Sequence, residues 1–224
     1  MRNNDNNLII SRNETFTMDR VVQNRDGSPY IVSSQLNNPH ILITVSSSKY
    51  RQANRYLKRF YLPVPKELTF YQTNPIDIKS LRRTIASDPF TDFPDNLTVL
   101  KDDTTGKLVF LSAYYEGNLV SFEVNDAVFC RENDDGTISY KYWSPTVSNS
   151  VGSNGEWVDY EFRFVRTFDS DFTSKLVEQT YYYCIELVAG QIDVKNDVIF
   201  YDYVVPLLDT RTISVMSNLK GGML

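Results

Sequence analysis

A single histidine, His40, sets the first limit on the chemistry open to this chain. A Ser-His-Asp or Cys-His mechanism needs an imidazole base and would have to use it. His40 stands between Pro39 and the apolar run 41–45, and no Gly-x-Ser-x-Gly turn presents a serine to it, so it reads as a strand-edge or interface histidine. Two cysteines, Cys130 and Cys184, are too few for a zinc site. Both lie in apolar runs and read as reduced, buried small hydrophobes. Carboxylates are plentiful: Glu116, Glu123, Glu156 and Glu161 lie near Tyr114, Trp143 and Trp157 in the chain. A glycosidase needs only two acids facing each other across a cleft, but spacing along the chain does not place any two of these that way. Solvated faces and turns are the plainer reading. The runs Asn133-Asp134-Asp135-Gly136 and Asp169-Ser170-Asp171 lack the alternating ligands and twelfth-position Glu of a calcium loop, and they too read as turns. No catalytic, metal or cofactor set is assigned, and the chain is expected not to be an enzyme.

Recognition chemistry is better represented. Lys49, Arg51, Arg55, Lys58 and Arg59 interleave with Tyr50, Tyr56, Phe60 and Tyr61, the one local basic cluster. Such a stretch can be a solvated helix face with its aromatics buried. It can also dock on an acidic partner protein, with Tyr50, Arg55, Tyr56, Arg59 and Phe60 as the anchors. A third reading is binding of phosphate backbones and stacking of bases. The formal charge of −5 places a protein partner ahead of nucleic acid. Trp143 and Trp157 flank a Gly/Ser/Asn loop at 148–155 and offer an alternative function, a flat platform for surface glycans.

The elements that must position these residues are mostly strands. Val158, Tyr160, Phe162 and Phe164 alternate with Asp159, Glu161 and Arg163. Tyr181, Tyr183, Ile185 and Leu187 alternate in turn with Tyr182, Cys184, Glu186 and Val188. A period of two puts one set on each face of a strand. Further strands are expected at 8–10, 14–22, 30–32 and 40–46, with a turn at Asn24-Arg25-Asp26-Gly27. Tyr50, Ala53, Leu57, Phe60 and Tyr61 recur at helical spacing, and Asn74-Pro75 resembles the cap of a second helix over 74–88. Hairpins are expected from 97–100 with 107–114, and from 119–124 with 127–131, before a strand at 137–143. Val198 to Met216 supplies two last strands, at 198–205 and 212–216.

The fold class expected is mainly β: a sandwich from 8–46 and 156–217, interrupted by a large α+β insertion at 47–155, with flexible arms at 1–7 and 218–224. At 224 residues there is ample chain for a core, and no stretch of about 18 apolar residues suggests a membrane span. The polar, Asn-rich start lacks the apolar centre of a secretory leader, so folding in the cytoplasm where it is made is expected. The 15 Tyr and 13 Phe suit strands and contact surfaces.

Three pieces of the chain resemble a known family. Glu14-Thr15-Phe16-Thr17 with Asp26-Gly27-Ser28-Pro29-Tyr30 is similar to a D-T-F strand followed by a D-G-x-P-Y turn. Thr180-Tyr181-Tyr182-Tyr183-Cys184-Ile185-Glu186-Leu187 is similar to a late Y-Y-Y-x-I-E-L strand, and 212–216 resembles the closing strand. These belong to the N-terminal domain of phage upper baseplate proteins, an immunoglobulin-like sandwich of tailed-phage virions. The resemblance implies a virion building block in tail, baseplate or capsid decoration. It would be oligomeric within the particle and bound to other virion proteins, with no active site to transfer.

Overall fold

The computed structural model describes residues 7–49, 56–77, 99–101, 108–115, 118–123, 127–145 and 155–216. The chain is mainly β. Its strands are β1 (Leu8–Ser11), β2 (Phe16–Val21), β3 (Val32–Ser33), β4 (His40–Ser46), β5 (Tyr56–Pro63), β6 (Thr69–Phe70), β7 (Ile76–Asp77) and β8 (Val99–Lys101). They continue with β9 (Leu108–Tyr115), β10 (Asn118–Glu123), β11 (Val128–Glu132), β12 (Ile138–Pro145), β13 (Gly155–Asp159), β14 (Arg163–Phe168), β15 (Thr180–Asp193) and β16 (Val198–Met216). A single turn of helix, α1 (Ser170–Ser174), is capped by Asp169, whose carboxylate accepts from the Phe172 amide at 2.8 Å.

Two compact units divide the chain. The first is Met1–Val21, Leu36–Val64 and Arg163–Leu224; the second is Val22–Gln35 and Pro65–Phe162. Strand β5, expected within the 47–155 region, belongs to the first unit, and residues 22–35, expected with the outer strands, belong to the second.

The first unit holds a five-stranded sheet in the order β1-β16-β15-β4-β5. Its ladder aligns Tyr183 with Val45, Ile185 with Ile43 and Leu187 with Ile41, and then Ile43 with Phe60. One face is therefore a continuous apolar row, as the alternation of β15 requires. The β2–β14 ribbon covers it. Phe168 of β14 meets Phe60 edge-on at 4.8 Å, and Phe172 of α1 meets Phe60 at 5.1 Å. Two layers closed over one core give this unit its sandwich character. At the far end of β15 the register slips between Ala189 and Gly190, and Gly190, at φ +131°, donates its amide to the Asn37 carbonyl at 2.8 Å. This bulge bends the β15–β16 ribbon.

The second unit holds a four-stranded sheet, β13-β12-β11-β7, a three-stranded sheet, β10-β9-β8, and the short parallel pair β3–β6. Its centre is aromatic. Phe70, Tyr142 and Tyr160 form a triangle of near-perpendicular rings with centroids 5.3–5.9 Å apart. The Tyr160 hydroxyl donates to the Tyr30 carbonyl at 3.0 Å, so the phenol buries its ring without orphaning its oxygen.

Five expectations change, the first being that 198–216 forms one continuous strand, β16, paired along β15, and not two strands at 198–205 and 212–216. Residues 56–63 form a strand, not a helix: Leu57, Phe60 and Tyr61 match a helical stripe, but the exposed edge of β4 offers a seven-residue ladder, and aromatic-rich segments suit it. Ile76 and Asp77 pair in parallel with β11 and do not begin a helix after Asn74-Pro75; the remainder of that helix, from 78, lies outside the described residues. The run 158–164 is not one strand. Its burial still alternates, but it leaves β12 at Asp159 and joins β2 at Arg163. Finally, β10 pairs with β9 and β11 with β12, so among the described residues no hairpin joins 119–124 to 127–131. The expected pairing of 97–100 with 107–114 is present as β8–β9. The Asp26 and Asp135 turns form as expected: each carboxylate accepts from an amide two residues on, at 2.9 Å, and each is followed by a glycine at positive φ.

Candidate functional site

Strand β5 is the outermost strand of the first unit's sheet, paired among the described residues with β4 alone. A register shift between Val45 and Ser46 changes the phase of its side chains near Tyr56. Beside this strand lies a hollow of about 410 Å³ lined by Tyr56, Leu57, Lys58, Arg59, Phe60 and Tyr61, with Arg166 from β14 and Val194, Lys195 and Asp197 from the β15–β16 turn. Among the described residues, four cations and one carboxylate line it.

That carboxylate is tied down. Asp197, at φ +56°, accepts from the hydroxyls of Tyr61 and Tyr56 and lies 3.8 Å from the Arg59 guanidinium. Arg59 also stacks over the Tyr56 ring at 3.9 Å, and Arg166 lies over the Phe60 ring at 4.9 Å. Burial, then the Asp197 carboxylate, push the Tyr61 phenol far above the ordinary tyrosine range, and the Asp197 bond does the same more mildly for Tyr56.

Of the anchors named from sequence, Tyr56, Arg59 and Phe60 line this hollow, while Tyr50 and Arg55 lie outside the described residues. Arg166, Lys195 and Asp197 were not singled out from sequence. Only the polar turn Asp193-Val194-Lys195-Asn196-Asp197 between two apolar runs hinted at a loop tip, and nothing local showed that it returns to β5. Trp143, the proposed glycan platform, is 5% exposed. It meets Trp157 edge-on at 5.3 Å, and Trp157 meets Phe129 at 5.4 Å, so the two indoles pack on each other. A sugar platform needs an open ring face.

Among the candidate acids, Glu161 is exposed, Glu116 lies outside the described residues, and Glu123 and Glu156 stand on β10 and β13. His40 is buried, with Nδ1 donating to the Asn38 carbonyl at 2.9 Å, a local bond that fixes the ring at the start of β4. Cys130 and Cys184, expected to be buried, are half-buried and form no disulfide. Desolvation, reinforced by Asp77, raises the Cys130 thiol to about 11. Among the described residues no three His, Cys, Asp or Glu converge on a metal position, and no helix is long and apolar enough to cross a membrane.

The raised groups give an alkaline prediction. Cys130, Tyr61, Tyr160 and Tyr183 all hold their protons more tightly folded than unfolded, chiefly through burial. Their contribution is complete below the unfolded values, 9.0 for the thiol and 10.0 for the phenols, and is lost as pH rises through the folded ones. Melting temperature should therefore fall progressively above about pH 9, and the fall should be shallower for Tyr61→Phe. A melting temperature that stays level through that range would contradict it.

Comparison of the chain with protein-family models, with curated proteins and with solved structures gives no match.

Proposed function

We propose that this chain is a non-catalytic structural subunit of a tailed-phage virion, with an immunoglobulin-like first unit, that works through contacts with other particle proteins. One observation carries the reading beyond the sequence resemblance. The β15–β16 ribbon runs past the last residue paired with β4 and leaves Val194, Val198, Phe200 and Tyr201 exposed, Phe200 by 66%. Large apolar side chains clustered on one hairpin are what a protein contact covers, and what a solitary chain leaves in water at a cost.

The test is incorporation. Particles assembled with the wild-type chain should contain it in stoichiometric amount by mass spectrometry. Phe200→Ser combined with Val198→Ser should lower incorporation by about tenfold or more, because central apolar anchors dominate such contacts. The melting temperature of the variant should stay unchanged, since both side chains are exposed. Absence of the chain from particles, or full incorporation of the variant, would refute the reading.

A further inference from the structure

At the β5 hollow Arg59 and Arg166 each lie over an aromatic ring, Tyr56 at 3.9 Å and Phe60 at 4.9 Å, and in both the Nε atom is shielded from solvent and meets no acceptor among the described residues. A buried N–H left without an acceptor costs free energy, more so on a charged group. Lys58 and Lys195 at the same hollow are exposed and add two further positive charges. Asp197, held by the Tyr56 and Tyr61 hydroxyls, pairs with Arg59 and offsets one of these charges, which leaves Arg166, Lys58 and Lys195 in excess.

We propose that this hollow is a binding site for a phosphate group, either as inorganic phosphate or carried on a small phosphate monoester. Three cations in excess of the Arg59–Asp197 pair suit a dianion better than a single carboxylate. Guanidinium groups are the donors best matched to tetrahedral oxyanions, and both already pack against aromatic rings before a ligand arrives, so less rotamer freedom is lost on binding. The hollow, about 410 Å³, is within the range of small-molecule sites. The assignment is independent of the virion reading and can fail or stand without it.

The experiment is titration calorimetry on the full chain at constant ionic strength, with inorganic phosphate, glycerol phosphate and succinate as separate ligands. Saturable binding of phosphate is expected, weakened about tenfold by Arg166→Gln and about threefold by Lys195→Gln. Lys195 is exposed on a turn, so its substitution should leave the melting temperature of the unliganded protein unchanged and keeps the test valid if Arg166→Gln perturbs folding. Equal affinity for phosphate and glycerol phosphate would show that the phosphate group alone is read; preference for the ester would place the hollow's remaining volume around its carbon skeleton. Both outcomes support the site. No saturable binding of either phosphate, succinate binding as tight as phosphate, or affinity unchanged in the folded Lys195→Gln and Arg166→Gln variants would overturn it.

Discussion

Gly190→Ala should be among the most damaging single substitutions in the first unit. Gly190 sits at φ +131°, where a side chain is strained whatever space surrounds it, and a Cβ built there would lie 2.3 Å from the Phe200 carbonyl oxygen and 2.9 Å from the Asp202 amide nitrogen. Both neighbours are backbone of the partner strand and cannot rotate away. Backbone strain and overpacking each cost about 1–3 kcal/mol, so a combined loss of about 3–5 kcal/mol is expected in urea denaturation. The bulge also sets the bend of the β15–β16 ribbon and the position of Asp197 against β5, so the variant should lose the Tyr61 contribution to the alkaline melting profile. Gly136 provides the control. It too has positive φ, at +79°, but nothing lies within 4 Å of its Cβ position, and alanine there should cost only about 1–2 kcal/mol. Equal costs at the two positions would mean that the close approach at Gly190 is not real.

Phe70→Ala should cost about 3–5 kcal/mol, the range for emptying a buried aromatic site. Phe70 is 1% exposed, and its ring meets both Tyr142 and Tyr160 edge-on. Removing it leaves a void that those two rings can fill only by abandoning their contact with each other at 5.9 Å, and Tyr160 is further held by its hydroxyl bond to the Tyr30 carbonyl. Collapse is therefore hindered, which puts the expected cost at the upper part of the range. Phe200→Ala makes the opposite case with the same chemistry: its ring is 66% exposed and its loss should change stability by less than about 0.5 kcal/mol. Denaturation midpoints for the two variants check both statements, and a Phe70→Ala midpoint close to wild type would contradict the aromatic core described for the second unit.

The strand content was legible because alternation is a local signal. Tyr181, Tyr183, Ile185 and Leu187 announce one buried face without reference to any partner, and the sheet places them so. Turn chemistry was equally local: Asp26, Asp135 and Asp169 each bond backbone within three residues. What failed depended on partners far along the chain. Tyr56 to Pro63 carries a stripe compatible with either helix or strand, and the open edge of β4 decides between them. The run from Val158 to Phe164 keeps one alternation while its pairing passes from β12 to β2, and no window of sequence records that exchange. The candidate site was half legible for the same reason. Tyr56, Arg59 and Phe60 are neighbours in sequence, whereas Arg166 and Asp197 reach them only through the packing of β14 and the bend at Gly190.

The claim that this chain acts through protein contact at its β15–β16 ribbon is tested most directly inside an assembled particle. A photoreactive phenylalanine analogue in place of Phe200, with one in place of the similarly exposed Ile138 on the β11–β12 hairpin as comparison, reports what lies against each position. The account predicts an efficient cross-link from position 200 to another virion polypeptide. Incorporation of the chain with position 200 facing only water would contradict it.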